Sequence, residues 1–508
     1  MGVEDTMKPI EKSILEYFRE YAAECGDKRF LFDENRCYTV EGACRAAAAI
    51  GSRLHAYGVR AGSAVALRCT RSLDTCLIYL ALQMMGAVAL LTDPHQSAEE
   101  FLRDAGARAE FLITNEGAGN GISANGDWEV SGHGPLEIGC PEREEKCIFP
   151  AVKDLHAPAT VVFTSGSTGK GKGVMLSQYN LVNHIRNFSV SGCYWETDVS
   201  AELLPVHHVF GLAVLLMGLI KRYCIFFPKT VNIQYVAECI ETHRITRLDG
   251  VPSFALALAE HHGKTGFCAD SLRVGVLGGA PSTKAQFDFI EQELGIKLLP
   301  VYGQSECIGI TGADETRSGS VRSSTVGRFL PMNEGFILDG NGEKVPPGEE
   351  GEICVKGPAV MLGYLGDEEA TREAIDGEGR LHTGDLGWLD EEGNLHISGR
   401  KKDIIIRNGN NIPAGKIEEA LHTLEAVSRA AVVGIRHEEW GEVPCALVVL
   451  KNGYAVPEEE IKKLLGPCLA KNEMPEKILF AETLPLTSSG KPDKQKIRER
   501  FSKKPGSL

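Results

Sequence analysis

The sequence predicts an α/β protein that passes through a short antiparallel β region into a small α+β unit. Three observations predict it. Strands and helices alternate through roughly the first 335 residues, which implies parallel sheets. Gly- and acid-rich turns between strand pairs follow. From Arg400 a mixed strand–helix pattern takes over. The expected boundaries are 1–399 for a large N-terminal domain and 400–508 for a C-terminal one.

In chain order, "SAVALRC" reads as a strand, "SLDTCLIYLALQMM" as a helix and "AVALLT" as a strand. "AEEFLRDAG" is then a helix and "AEFLIT" a strand. The stretch 115–134, rich in Gly and Asn, reads as an exposed connection. "TVVF" is a strand, and "RYCIFFP", "VAECIETHR", "ITRLDGV" and "LRVGVLGG" resume the alternation. "GEKVPPGEEGEICVKG" and "GWLDEEGNLHISGR" read as antiparallel strand pairs. The last unit runs strand "DIIIR", helix "GKIEEALHTL", strands "RAAVVGI" and "CALVVL", helix "EEEIKKLLG".

The chain has 508 residues, too many for one core. Its net charge of −15 argues against nucleic acid as a partner. The basic tail "KQKIRERFSKKP" reads as a solvated helix end. Fifteen cysteines are scattered without a C-x-x-C, so reduced thiols in a cytoplasm are the simpler reading than disulfides or a metal framework. The apolar run "CLIYLALQMMGAVALLT" contains Gln83 and Gly86, which suits a buried helix and strand better than a membrane span. "MGVEDT" fits the myristoylation pattern, but Glu4, Asp5 and the lack of a nearby polybasic patch argue against stable membrane attachment.

"VVFTSGSTGKGKGVMLS" has the makings of a phosphate loop. It fails the nucleotide P-loop template, because Gly173 stands where Ser or Thr must hold magnesium. Its physical content survives. A strand leads into a loop whose backbone N–H groups are unobstructed, a nest suited to an anion. The hydroxyls of Thr164, Ser165, Ser167 and Thr168 and the ammonium groups of Lys170 and Lys172 surround it.

Further motifs follow in order: "LPVHHVFGL", "LGGAPS", "VYGQSE", "HTGDLG", "GRKKDIIIRNGNNI" and "PLTSSGKPDKQKIR". Together with the loop, this ordered set closely resembles the adenylate-forming superfamily: acyl-CoA synthetases, aryl-CoA ligases, nonribosomal-peptide adenylation domains and firefly luciferase. The resemblance runs from Tyr38 to Ile497. It departs from the family pattern at Gly171 (usually Pro), at Ser305 (usually Thr), in "NNIPAGKIEE", where the Pro is one place early and Lys416 replaces a Glu, and at Pro492 (usually aliphatic). None of these removes a reactive group.

The resemblance implies two α/β sandwich subdomains and a small β-barrel, then a mobile C-terminal domain. It implies that a carboxylate attacks the α-phosphate of ATP, pyrophosphate leaves, and the acyl-AMP is passed to a thiol. Cations and N–H donors aimed at the developing charge supply the rate. On this reading Thr164, Ser165, Gly166, Ser167, Thr168, Gly169 and Lys172 clamp phosphates. Tyr302 stacks on adenine beside Gly303, Gln304 and Ser305, and Gly279, Ala280 and Pro281 leave room for the base. Glu306 holds Mg²⁺ as a hard oxygen ligand. Asp385 takes the ribose hydroxyls, Arg400 reaches ribose or phosphate, and Lys491 bridges carboxylate and α-phosphate. Lys402 matches the hinge, and Gly409 lines the path of coenzyme A. His208, with Val209 and Phe210, shapes the acyl pocket and gates the thiol. His261 and His262 read as a solvated helix end.

Amino-acid-activating members carry an Asp just after this aromatic position. No carboxylate occurs from Leu203 to Met217, and an unpaired buried ammonium is costly, so a fatty or aromatic acid is expected. With no fused carrier domain, free coenzyme A is favoured over a carrier protein as acceptor.

Overall fold

The computed structural model describes residues 8–115, 128–138, 149, 152–164, 171–451, 453–486 and 492–502. The chain divides into two compact units. Among the described residues, the first takes in those up to Thr164, then those up to Gly335, and Val355–Leu381; the second takes in Phe336–Cys354 and the chain from His382 onward.

Among its described residues the first unit holds two large sheets, each with a parallel centre. In one, the strands Pro158–Phe163, Val88–Thr92, Ala64–Arg68 and Phe111–Asn115 lie side by side in parallel. In the other, Lys297–Gln304, Val274–Leu277, Arg247–Gly250, Val199–Ala201, Cys224–Phe226 and Arg29–Phe32 do the same. The alternation read from the sequence therefore produces the expected α/β architecture.

The helix Leu73–Met85 shows why one run looked membrane-like. Ser72 caps it by accepting the Thr75 N–H, Gly86 ends it in the left-handed region at φ 72°, and all of its residues are buried. Packed on every side, it has no polar face to betray a periodicity. Among the described residues no helix is long and apolar enough to cross a membrane.

Two expectations need correction. The stretch 115–134 is not simply an exposed connection. The strand Trp128–Val130 pairs antiparallel with Phe111–Asn115, both Trp128 and Val130 are buried, and the Trp128 indole N–H donates to Asp74 Oδ2 at 3.3 Å. Three residues are too few to show against Gly- and Asn-rich flanks. Likewise "GEKVPPGEEGEICVKG" yields one strand, Gly351–Lys356, flanked in its sheet by Glu334–Leu338. Pro346 and Pro347 remove the donors that a second strand in that segment would need.

Within the second sheet, Arg247, the first residue of Arg247–Gly250, is fully buried. It makes paired bonds to Asp249, with Nε at 3.0 Å from Oδ2, and reaches Asp198 Oδ2 at 3.3 Å and the Gly192 and Cys193 carbonyls. Breaking a buried ion pair by removing one partner leaves uncompensated charge, here chiefly that of Asp249, since Arg273 still pairs with Asp198. Arg247→Ala should therefore destabilise this unit by about 3 kcal/mol. Urea unfolding followed by tryptophan fluorescence checks it, and an unmoved midpoint would refute it.

The second unit carries a four-stranded sheet, Glu334–Leu338, Gly351–Lys356, Leu381–Leu389 and Leu395–Arg400, the last two forming an antiparallel hairpin. Beyond it a second sheet runs Asn410–Pro413, Ile404–Arg407, Gly441–Leu450 and Val427–His437, with Lys477–Phe480 parallel to Gly441–Leu450. Ile417 and Leu421 of the helix Ala414–His422, Ile461 and Leu465 of Glu458–Leu465, and Ile497 of Lys494–Ser502 are buried against it. This is the expected α+β unit.

Candidate active site

In the first unit the candidate residues gather where parallel strands end, the usual place for a ligand crevice in such sheets. The strand Pro158–Phe163 leads to Thr164. Its N–H donates to the Lys172 carbonyl at 3.0 Å, and the Lys172 N–H returns to Thr164 Oγ1 at 3.3 Å. These bonds tie together the two ends of the candidate phosphate-binding segment. A Cβ on Gly171 would stand 2.6 Å from the Thr164 carbonyl oxygen, so this position, Pro in the family pattern, has room only for glycine here. Ser165, Gly166, Ser167, Thr168, Gly169 and Lys170 lie outside the described residues.

Tyr302–Glu306 spans the end of Lys297–Gln304 and the tight reversal into Cys307–Gly312, with Gln304 opposite Cys307. Gly303 is required, because a Cβ there would collide with the Ile308 carbonyl. Glu306 is held from the segment that follows. The Tyr364 hydroxyl donates to Glu306 Oε1 at 2.8 Å, and the Met361 N–H donates to the Glu306 carbonyl at 2.8 Å. The Lys172 ammonium lies 4.7 Å from the centre of the Tyr364 ring. One tyrosine thus joins the loop lysine to the candidate metal ligand. Burial, and then the Glu306 carboxylate, push the Tyr364 phenol well above its ordinary range, so it stays a donor.

Gly279, Ala280 and Pro281 are exposed at the end of Val274–Leu277, and Gly279 takes φ 80°, a left-handed turn that glycine makes at no steric cost. Gln304 Nε2 is buried with no hydrogen-bond partner, a spare donor at this crevice. An adenine ring offers acceptors of the kind it lacks, and the half-exposed Glu306 offers the hard oxygen that Mg²⁺ takes. The residues therefore fit both groups.

His208 is the N-cap residue of Val209–Lys221 but makes no side-chain cap, and its ring lies 4.4 Å from that of His207. Val209 and Phe210 are half-buried beside it. His262 is half-buried rather than solvated: it pairs with Glu293 at 2.9 Å and packs on the Phe267 ring near the end of the helix Pro252–Thr265.

Sequence reasoning missed a polar cluster beside this histidine pair. Glu202, just after Val199–Ala201, is fully buried, and both its carboxylate oxygens lack hydrogen-bond partners. Burial pushes its carboxyl well above the usual range, against the opposing charge of Arg71. Burial also pushes His207 well below its ordinary value, helped by His208, His95 and Arg71. The visible signal was an acid inside the otherwise apolar "ELLPV". Tyr364 was missed too, since its 58-residue separation from Glu306 leaves no local signal.

In the second unit Asp385 is buried on Leu381–Leu389, directly opposite Arg400, whose Nε lies 3.0 Å from Asp385 Oδ1. The preceding turn is fixed by the Thr383 hydroxyl, which donates to the Ile353 carbonyl, and by Glu352, whose Oε1 accepts the Gly384 N–H at 3.1 Å. Lys401 and Lys402 form a short 3₁₀ turn with Asp403. Gly409 occupies a two-residue hairpin turn with Asn408, both at positive φ (78° and 50°), between Ile404–Arg407 and Asn410–Pro413. Lys491 lies outside the described residues. Leu486 bridges to Pro492, and the Asp493 N–H donates to the Pro485 carbonyl at 2.9 Å.

Comparison with known proteins agrees with these features. The profile of the AMP-binding enzyme family matches residues 18–365, and that of the AMP-binding enzyme C-terminal domain matches 416–491. A 2-succinylbenzoate–CoA ligase of Bacillus cereus is 34% identical over 448 residues, 87% of this chain and 89% of the relative. YngI of Bacillus subtilis, named as an acyl-CoA synthetase, is 33% identical over 342 residues, and this chain spans 62% of its length. Among solved structures, the Bacillus subtilis o-succinylbenzoate–CoA synthetase MenE with ATP and magnesium superposes with a TM-score of 0.82 at 27% identity, covering 95% of this chain and 99% of that one. ATP-bound MatB of Rhodopseudomonas palustris gives 0.82 at 25% identity, covering 96% and 99%. The chain belongs to the AMP-binding enzyme family, and it is an adenylate-forming acid–thiol ligase.

Proposed function

We propose that this enzyme activates a fatty or aromatic carboxylic acid as its acyl-AMP and transfers the acyl group to free coenzyme A in the cytoplasm. The observation that carries the reading is the Lys172–Tyr364–Glu306 assembly at the strand ends, an ammonium and a carboxylate fixed around one tyrosine. Glu306 holds Mg²⁺, which neutralises phosphate charge when bound. Lys172 and the loop from Thr164 to Gly169 hold the phosphates. Tyr302, Gly303, Gln304 and Ser305 receive adenine, with Gly279, Ala280 and Pro281 beside it, while Asp385 and Arg400 receive the ribose. Lys491 meets the reacting carboxylate. His208, Val209 and Phe210 bound the acyl pocket, and Gly409 lines the thiol's path. The apolar helix Val209–Lys221 suits an apolar acyl group, and relatives named for 2-succinylbenzoate favour the aromatic half of that range.

The test is incubation with ATP, Mg²⁺, coenzyme A and a panel of acids graded in chain length and ring content. Acyl-CoA by mass, with AMP and pyrophosphate released, is the expected outcome. ADP and free phosphate as products would overturn it.

The C-terminal domain turns about Lys402 between the two half-reactions. Proline fixes φ and removes an N–H. Lys402→Pro should leave acid-dependent exchange of labelled pyrophosphate into ATP largely intact and depress thioester formation about tenfold or more. Equal loss of both activities, with the circular dichroism spectrum unchanged, would contradict the hinge.

A further inference from the structure

Glu352, Cys354 and His382 have no part in the reaction as assigned above, yet they bring a carboxylate, a thiol and an imidazole to one point of the second unit. Their ligand atoms all lie within 4.8 Å of one another. His382 Nδ1 stands 3.4 Å from Cys354 Sγ and 3.1 Å from Glu352 Oε2, so one ring nitrogen faces both other donors. The scaffold is regular. Glu352 and Cys354 are alternate residues of Gly351–Lys356 and share a face, and His382 is the second residue of the neighbouring strand Leu381–Leu389.

These separations are close to those zinc imposes. With Zn–N and Zn–O near 2.1 Å and Zn–S near 2.3 Å, a tetrahedron sets N and O about 3.4 Å apart and N and S about 3.6 Å apart. The observed pairs fall within a few tenths of an ångström of these edges. The His382 side chain is 27% exposed and that of Glu352 11%, so an ion has a way in, and the buried thiol forms the floor.

A cation already sits at this carboxylate. Lys401 Nζ is 3.2 Å from Glu352 Oε2, the same oxygen that faces His382. The Lys401 side chain is 63% exposed, so water screens the pair and the lysine gives way easily.

We propose that Glu352, Cys354 and His382 form a binding site for a borderline-soft divalent cation, zinc above all, and that its occupation displaces Lys401 from Glu352. His382 binds as the neutral imidazole through Nδ1, and Glu352 binds as the carboxylate. The Cys354 S–H bond breaks as the sulfur–metal bond forms, its proton passing to solvent, and water completes the coordination. Magnesium, which wants oxygen donors, does not compete, so this site is chemically separate from Glu306. Occupation bears on the reaction at two points. Lys401 precedes the hinge residue Lys402, and the other oxygen of Glu352 holds the Gly384 N–H next to Asp385. Zinc at this site therefore inhibits acyl-CoA formation.

The experiment uses the full chain, freed of metal, titrated with Co²⁺ and then with Zn²⁺. The expected result is a single strong site with a cobalt–thiolate charge-transfer band and tetrahedral visible bands, erased by zinc and untouched by excess Mg²⁺. Cys354→Ser should abolish the thiolate band and the zinc inhibition while keeping the circular dichroism spectrum and the metal-free exchange activity. His382→Asn should weaken cobalt binding at least tenfold. Lys401→Ala should tighten it severalfold, because a competitor is gone. No thiolate band, or a band that persists in Cys354→Ser, would overturn the site. Unchanged affinity in Lys401→Ala would overturn the displacement.

Discussion

Glu306→Gln should lower acid-dependent pyrophosphate exchange by about a hundred- to a thousandfold, because the amide keeps the shape of the side chain and loses the anionic oxygen that a hard cation needs. The geometry sharpens the expectation. Oε1 is engaged by the Tyr364 hydroxyl, and among the described residues no bond is made to Oε2, the oxygen that would then serve the proposed Mg²⁺. Tyr364→Phe should then cost less, about tenfold, since it loosens the carboxylate without removing it. Raising Mg²⁺ should restore part of the Glu306→Gln activity. An exchange rate within a few-fold of the unsubstituted enzyme, or a loss indifferent to Mg²⁺ concentration, would show that Glu306 holds the loop rather than the metal.

How much of this was legible in the sequence depends on the range over which each signal acts. Strands such as Ala64–Arg68 and Val88–Thr92 announce themselves through short apolar runs with Gly and Ser at their ends, and these local signals placed the α/β alternation. The Trp128–Val130 strand is equally real but only three residues long, so its flanks dominated the reading. The site divides the same way. Asp385 and Arg400 were both named from their motifs, yet their direct pairing follows from hairpin register, which no motif states. Tyr364 reaches Glu306 only because the strand pair Gly173–Ser177 and Gly363–Tyr364 returns the chain to the crevice. The Glu352–Cys354–His382 group is harder still. Its thiol has no C-x-x-C partner, and the imidazole arrives 28 residues later on another strand. Glu202 gives little local signal, a single acid at the edge of an otherwise apolar run.

Lys491→Ala should slow adenylation by about a hundred- to a thousandfold with a much smaller change in ATP affinity if, as proposed, its ammonium meets charge that exists only while the carboxylate attacks phosphorus. Interactions made mainly in the transition state lower the rate more than binding when they are removed. Leu486 bridges to Pro492, and Lys494 pairs with Asp403 at 3.0 Å and with Glu418 at 3.2 Å, so the chain just beyond Lys491 is tied to the segment that follows the hinge. Any turn about Lys402 therefore carries Lys491 with it. On the proposed hinge, the lysine would serve one half-reaction and be withdrawn for the other. Thioester formation from supplied acyl-adenylate and coenzyme A should survive in Lys491→Ala at close to the unsubstituted rate. Both assays belong on the same preparation. If exchange and thioester formation fall together, Lys491 is holding the C-terminal domain in place. If neither falls, the cation that meets the attacking carboxylate lies elsewhere, and Lys172, fixed over the Tyr364 ring, is the next residue to change.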